Sequence, residues 1–548
     1  MSQKTLMAAA VLCASFIADA AQATLVISTA PTSNVTCSGG TCTATGQEAV
    51  LNVGDLTASL QQQNTIVSAA MPIEFDAPMP WTSPYMLSLD AYYAITFTQP
   101  VVSQGRGGFR LLVRKSGDFY FTGKGRVAFW DTGSILIING IRYTLANSLA
   151  TLNAAMTAQP YGHFALSNNY DASADGTYSH SPITANFGGT FEGLGNGIGH
   201  LSMSCCGMFG YLPPAAPAPV VRDISLVGVI LRSTSASHVG ALVGWNYGGL
   251  IIGASVSGLV SAGNGQANTP GSVGGVVGLN QGGYESSSLI RRAHSSARVS
   301  CGAFCYVGGV VGDNQNRLEQ SAATGSVRGG KNSSAGGIAG RNYGSITLSF
   351  ATGAVSVGDA ANSQPTRDAM AGGLVGFDDG GLVDHAYATG PVAGGSGVQR
   401  SMNHVSVGGL VGGNSSGTLR WCYAMGPVSV GDRGYAGGLS GSFDVSRTNS
   451  CYSTGAVSVT GGSSVIGGLT GEDTGPVSPY TTNYWDLDTS GVSDPSQGAG
   501  NIANDTGIAG LTTSQFQSGL PFGFDAADWV ESPGINNGLP YLRALPPQ

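Results

Sequence analysis

The chain has 548 residues, of which 86 are glycine and only 10% are charged, with a formal net charge of -8. Glycine stands at about 16%, more than twice its usual share, and charge falls well short of the usual quarter or so. An apolar fraction of 42% is too high for a disordered chain. With no cluster of five or more basic residues, nucleic acid and anionic membrane surfaces are excluded as expected partners.

Residues 1–23 read as an export signal. Lys4 supplies a positive start, Leu6 to Ile17 an apolar run, and Ala21-Gln-Ala23 a small-residue cleavage site. That run is too short to span a bilayer, and no later apolar stretch reaches the 18 or so residues of a membrane helix. The mature chain is therefore expected to be exported and water-soluble, secreted or held at the cell surface. Cysteine usage agrees. Cys13 lies in the signal, and the other eight suggest the pairs Cys37/Cys42, Cys205/Cys206, Cys301/Cys305 and Cys422/Cys451. For the last pair, Trp421-Cys-Tyr-Ala-Met-Gly-Pro-Val-Ser-Val430 aligns with Ser450-Cys-Tyr-Ser-Thr-Gly-Ala-Val-Ser-Val459. Stacked strands lie about 4.8 Å apart, within reach of a disulfide, so Cys422–Cys451 is the best-supported bridge. Two small buried residues are the alternative.

Residues 24–144 form an N-terminal β-rich region. Ala94-Ile-Thr-Phe-Thr98, Phe109-Arg-Leu-Leu-Val113, Asp118-Phe-Tyr-Phe121 and Ser134-Ile-Leu-Ile-Ile138 read as strands joined by tight turns. Residues 145–206 are a junction with one short helix. Leu145, Leu149, Leu152 and Met156 share one helical face between Leu145 and Thr157. The proline-rich segment Leu212 to Pro219 cannot continue a strand ladder and is expected to be an exposed loop.

Residues 207–475 are repeats. Gly408-Gly-Leu-Val-Gly-Gly-Asn414 recurs in variants whose first glycines are Gly240, Gly274, Gly308, Gly336, Gly372, Gly408, Gly437 and Gly467, with a degenerate copy at Gly207. A period near 32 marks a stacked architecture, which grows by adding units and not by enlarging one core. Each repeat holds three apolar runs: the Gly-Gly-Leu-Val-Gly run, a short second run such as Ser345-Ile-Thr-Leu-Ser-Phe-Ala351, and a third such as Ala354-Val-Ser-Val357. Three short strands make one coil, with Val355 and Val357 inward and Ser356 outward. Leucine-rich, ankyrin-like and propeller patterns do not fit. The expected fold is all-β, a parallel β-helix (β-solenoid) of stacked three-strand coils. Residues 476–548, with Trp485 and Trp529, break the pattern and read as a C-terminal cap.

The search for chemistry is largely empty. None of the seven histidines is followed by Glu, so the His-Glu-x-x-His zinc-peptidase pattern is missing. Ser415 in Gly413-Asn-Ser-Ser-Gly417 matches a nucleophile elbow, but it falls where a repeat turn is expected. Gly325-Ser-Val-Arg-Gly-Gly-Lys331 resembles a phosphate loop, with Asn332 replacing the required Ser or Thr. Asp378-Asp379 and Glu472-Asp473 are the only adjacent carboxylates in the repeats, and Asp378 and Asp473 stand where Asn fills five other copies, the position of a turn residue. Asp486 and Asp488 have calcium-binding chemistry without the glycine-rich nonapeptide pattern. The Asn column (Asn246, Asn280, Asn314, Asn342, Asn414) is expected to bond along the stack. Tyr387, Tyr423 and Tyr452 are expected to stack under a coil corner, with a sugar-stacking stripe as the alternative. No catalytic, cofactor-binding or metal-binding residue is assigned.

The repeats resemble the GLUG motif, as in Gly373-Leu-Val-Gly376 and Gly409-Leu-Val-Gly412, found in secreted bacterial proteins of the filamentous-haemagglutinin type and in some immunoglobulin-A proteases. Ile138-Asn-Gly-Ile-Arg-Tyr-Thr144, Tyr170-Asp-Ala-Ser173, Gly189-Thr-Phe-Glu-Gly193, Asn483-Tyr-Trp-Asp-Leu-Asp-Thr-Ser490 and Asn536-Asn-Gly-Leu-Pro-Tyr-Leu542 also resemble that family. The resemblance implies a right-handed β-helix and an adhesin-like role on a bacterial surface, with an outer-membrane secretion partner. The expectation is thus an exported, non-enzymatic, monomeric β-solenoid rod without cofactors that binds an unknown surface ligand, such as a glycan or matrix protein. The alternative is a polysaccharide-acting β-helix enzyme. Specificity is expected where the repeat fails: Leu212 to Pro219, Asp359 to Met370, Gly394 to His404 and the tail.

Overall fold

A computed structural model describes residues 24–115, 117–283, 287–362, 367–398, 403–475 and 480–548. The expected export signal at residues 1–23 lies outside them. Strands make up 47% of the described residues and helices 6%. Nearly all strand pairings are parallel and join one coil to the next, which makes the fold a β-solenoid.

One compact unit comprises residues 24–174, Ile183–His200 and Pro219–Val227. Its strands stand where the sequence places them: Phe109–Val113 is a strand, as are Ile95–Phe97, Phe119–Phe121 and Leu136–Ile138. Their connections differ from tight turns. Ile73 lies beside Ile95 and Leu87 beside Phe109, both pairs parallel and 22 residues apart. The N-terminal region is therefore itself coiled. Every second side chain points inward, and Phe75, Phe97 and Phe121 stack with centroids 5.5 and 5.1 Å apart.

Two helices refine the expectation. Helix α1 (Val53–Leu60) starts at Asn52, whose side chain accepts from the Gly54 and Asp55 amides and whose helix buries Leu56 and Leu60. That Asn is a strong helix start, but an eight-residue helix shows too little periodicity to be read from sequence. Helix α2 (Leu149–Ala158) begins at a Ser148–Thr151 capping box and buries Leu149, Leu152 and Met156. Leu145 is not on it. It belongs to the strand Ile141–Ala146 and pairs with Ala165, so neighbouring-strand hydrogen bonds override the helical spacing.

The second unit comprises Asp175–Pro182, Leu201–Ala218 and Gly228–Gln548. Its repeats build a nine-stranded sheet running from Phe209–Leu212 to Thr470–Asp473 and an eight-stranded sheet running from Val239–Gly240 to Val465–Gly467. A third sheet completes each coil, as in Thr418–Ala424 and Val428–Val430. The degenerate copy at Gly207 joins the nine-stranded sheet, with Phe209 beside Val243.

The Gly-Gly-Leu-Val-Gly run is not one strand. It spans the corner between Val405–Gly408 and Val411–Ser415. A Cβ on Gly408 would come within 2.0 Å of the Val411 carbonyl, and one on Gly409 within 2.1 Å of Gly438 in the next coil. No side chain fits between backbones that close. A second corner has no sequence signature. Arg292, Gln320, Leu348, His385, Trp421, Ser450 and Thr482 all take positive φ, between 49° and 55°. Such backbone is costly for bulky residues; here the coils on either side hold it.

The tyrosine column is a buried stack. Phe350, Tyr387, Tyr423 and Tyr452 stack with nearly parallel rings at 4.9, 4.9 and 5.2 Å. The tail continues it, placing Phe516 and Trp529 against Tyr452 at 5.3 and 5.7 Å. Three of the expected disulfides are present: Cys37–Cys42, Cys205–Cys206 and Cys301–Cys305. The expected Cys422–Cys451 bridge is not. Both cysteines are buried free thiols. Each sulfur instead meets a carbonyl of its own coil, Cys422 at Arg420 and Cys451 at Asn449 (3.1 and 3.3 Å). Burial pushes the Cys422 thiol well above its ordinary pKa.

Two outcomes follow. Tyr423→Ala removes a ring stacked on both faces and should destabilise the fold by about 3–5 kcal/mol, read as a lower urea midpoint. Cys422 and Cys451 should resist a thiol reagent in the native protein and react once it is unfolded; reaction at native rates would contradict their burial.

Candidate functional site

An open groove lies in the N-terminal unit. It measures about 650 Å³ and is lined by Lys124, Arg126, Asn169, Tyr170, Asp171 and His200 over a floor that includes Gly197 and Gly199. The strand Arg126–Phe129 carries Arg126. The turn before it presents Lys124 to solvent. Tyr170–Asp171 and Gly197–Gly199 are adjacent parallel strands, with Asp171 beside Gly199.

Its electrostatics are uneven. Asp171 faces the His200 Nδ1 at 3.0 Å. That contact and the Ser173 amide hold its carboxyl below the usual range. Arg126 is half-buried and donates to Asn168 Oδ1 at 3.0 Å. Burial lowers its pKa. Neither Arg126 nor Lys124 has a carboxylate partner among the described residues. A concave surface with a few convergent polar groups is a candidate ligand site, and here two cations stand against one carboxylate.

Two other titratable clusters are closed. Arg222 contacts Asp118, Asp223 and Glu192 at 2.8, 2.8 and 3.2 Å. Glu192 is wholly buried, and burial pushes its carboxyl well up. His385 and Asp384 form a 2.6 Å pair like a catalytic dyad, but the other ring nitrogen meets Asp528 at 3.1 Å. Burial opposes the His385 charge, and the two carboxylates outweigh it and raise its pKa. Both nitrogens are engaged, and the Nε2 contact to Asp528 ties the tail to the coils.

The residues singled out in sequence are mostly engaged within the stack. Asn246 Nδ2 donates to Asn280 Oδ1, Asn280 to Asn314, Asn314 to Asn342 and Asn342 to Asp378, at 3.0, 2.8, 2.9 and 2.8 Å. Asn414 continues the column in register but accepts from Gly417 and Ser446 instead. Asp378 is 0% exposed, so it cannot meet a polysaccharide. Asp486 accepts from Thr513 Oγ1, and Asp488 from the Thr513 amide. These carboxylates therefore anchor the short helix Thr513–Phe516. Among the described residues no group of three or more His, Cys, Asp or Glu is placed to hold a metal. Ser415 ends a strand, and Ser416 turns a corner with φ 60°, without the helix an elbow needs.

Two of the four regions expected to carry specificity, Asp359 to Met370 and Gly394 to His404, lie partly outside the described residues, at 363–366 and 399–402. Their described parts are tied down. Asn332 donates to the Ala361 carbonyl at 2.9 Å, and Asn403 accepts from the Arg367 amide at 3.1 Å. The groove was not anticipated. Its cations and His200 are far apart in sequence, and only Tyr170 and Asp171 fell in a segment noted for its resemblance. Comparison with models of known families and with curated proteins finds no match for this chain.

Asp378 makes the ladder sensitive to pH. Burial pushes its carboxyl up to about 7, and its Oδ2 has no hydrogen-bond partner. Between the unfolded value near 4 and about 7, the folded protein keeps a proton that the unfolded chain has lost. Stability should therefore fall as pH rises through that window, by up to about 1.4 kcal/mol per unit. Asp378→Asn removes the charge and should flatten this part of the profile, checked by urea unfolding from pH 4 to 8.

Proposed function

We propose that this chain is an exported, non-enzymatic β-solenoid that acts by binding, as an adhesin-like or surface-scaffold protein. One contrast carries the reading. The strongly perturbed carboxylates and the recurring Asn and Tyr side chains are buried in the stack, while Lys124 and Arg126 line an open groove without carboxylate partners. The strongly perturbed carboxyl groups are inside, while the cations that could hold a ligand are outside. The resemblance to GLUG repeats points the same way. Binding by such a surface gains from many weak contacts, and display in several copies can raise the apparent affinity by about 10² to 10⁴.

The exposed pairing of His200 with Asp171 at the groove favours one second reading, a polysaccharide-acting enzyme in which this imidazole moves a proton. A glycan and matrix-protein array should show retained ligands without product release. Release of shortened glycan that disappears in His200→Ala would replace the binding reading with the enzymatic one. An array with no retained ligand would leave only a structural spacer.

A further inference from the structure

We infer that the groove of the N-terminal unit binds an acidic glycan, sugar rings bearing carboxylate or sulfate, lying on the bare strand Gly197–Gly199. The inference rests on the binding reading above and gives that site its ligand class.

The floor is the first observation. Gly197 and Gly199 sit on either side of the buried Ile198 and so face outward. Neither has positive φ. A Cβ on Gly197 would meet nothing nearer than the Ser225 carbonyl at 3.5 Å, and one on Gly199 nothing nearer than the Tyr170 carbonyl at 3.8 Å. Those are ordinary contacts, unlike the 2.0 Å clash at the repeat corners. Glycine in a strand weakens it, and the stack does not require glycine here. What the two glycines do is leave space. The outward residues beside them are Asp171, next to Gly199, on one side and Ser225 and Val227 on the other, which do carry side chains. The result is a trough one strand wide, with walls about 10 Å apart at the usual strand spacing. That width suits a single sugar ring.

The charge is the second observation. Arg126 and Lys124 lie at the trough with no carboxylate partner among the described residues, in a chain whose net charge is -8. An acidic ligand would supply the missing counter-charge, and Arg can take a carboxylate or sulfate through two parallel hydrogen bonds.

The third observation separates a glycan from a peptide. Extended peptides dock by adding to a free strand edge. Both edges of Gly197–Gly199 are already paired, to Tyr170–Asp171 and to Ser225–Val227. What faces the trough is a mixture of amide, hydroxyl, imidazole and carboxylate from Asn169, Ser225, His200 and Asp171, a set that matches sugar hydroxyls as both donors and acceptors.

The test uses the full chain and five probes in calorimetric titration: an oligogalacturonate, a sulfated galactan oligosaccharide, the neutral form of each, and poly-glutamate. One or both acidic sugars should bind, more weakly as salt rises, and the two acidic arms distinguish carboxylate from sulfate. Gly199→Phe fills the trough and should lower affinity at least tenfold while the thermal midpoint stays level or rises. Arg126→Gln should lower it similarly and flatten the salt dependence, which keeps the test sound even if the first variant folds poorly. Full binding by folded Gly199→Phe, equal binding of the neutral sugars, or equal binding of poly-glutamate would overturn the inference. If no acidic sugar binds but the array still retains another ligand, this inference fails and the binding reading stands. If the array retains nothing, both fail.

Discussion

Backbone-to-backbone contact between successive coils is the constraint on which the repeat unit depends. At the glycine corner, the chain of one coil passes so close to the next that even a methyl group is excluded. Gly409 faces the Gly438 carbonyl of the following coil, and Gly412 faces Gly376 of the preceding one. Each coil is thus held from both sides, and parallel ladders then satisfy its amides and carbonyls. Stability in such an array is a sum of coil terms and neighbour terms, so a fault in one coil acts first on its two neighbours.

Stacking also governs what polar groups can do. An Asn in one coil lies over an Asn in the next, and a primary amide can donate to one neighbour while accepting from the other. A run of them forms a closed ladder in a dry interior. A carboxylate in the same column accepts the incoming bond, but when ionised it has nothing to donate. Asp378 is that fault, wholly buried, with one oxygen unpartnered and its carboxyl pushed towards neutrality. The raised pKa of Asp378 is thus a property of the stack.

The groove follows a different logic. It is defined by what is missing: side chains at Gly197 and Gly199 and carboxylates beside Arg126 and Lys124. A solenoid face is ordinarily covered by outward side chains, so a bare strand between two clothed ones makes a channel without altering the backbone. Recognition can then be placed on any coil by changing outward residues alone, while the inward residues continue to hold the fold.

The repeat, the parallel β-helix, the Asn ladder and the tyrosine stack were legible in the amino-acid sequence. In each of them identity recurs, because a residue stacked on its own kind satisfies it best. Three of the disulfides were legible as near neighbours. The left-handed corner was not, since Leu348, His385 and Trp421 share a backbone angle and no chemistry. The extent of the N-terminal coils and the place of Leu145 in a strand were likewise settled by contacts one coil away, and the free thiols of Cys422 and Cys451 by carbonyls of their own coils. So was the groove, whose Arg126, Asp171 and His200 are brought together only by coiling. The sequence by itself determined which residues repeat, and hence the architecture, because close packing tolerates so few choices at those positions. Tertiary structure alone decided which of the unrepeated residues meet, because register between coils, and not distance along the chain, sets their neighbours.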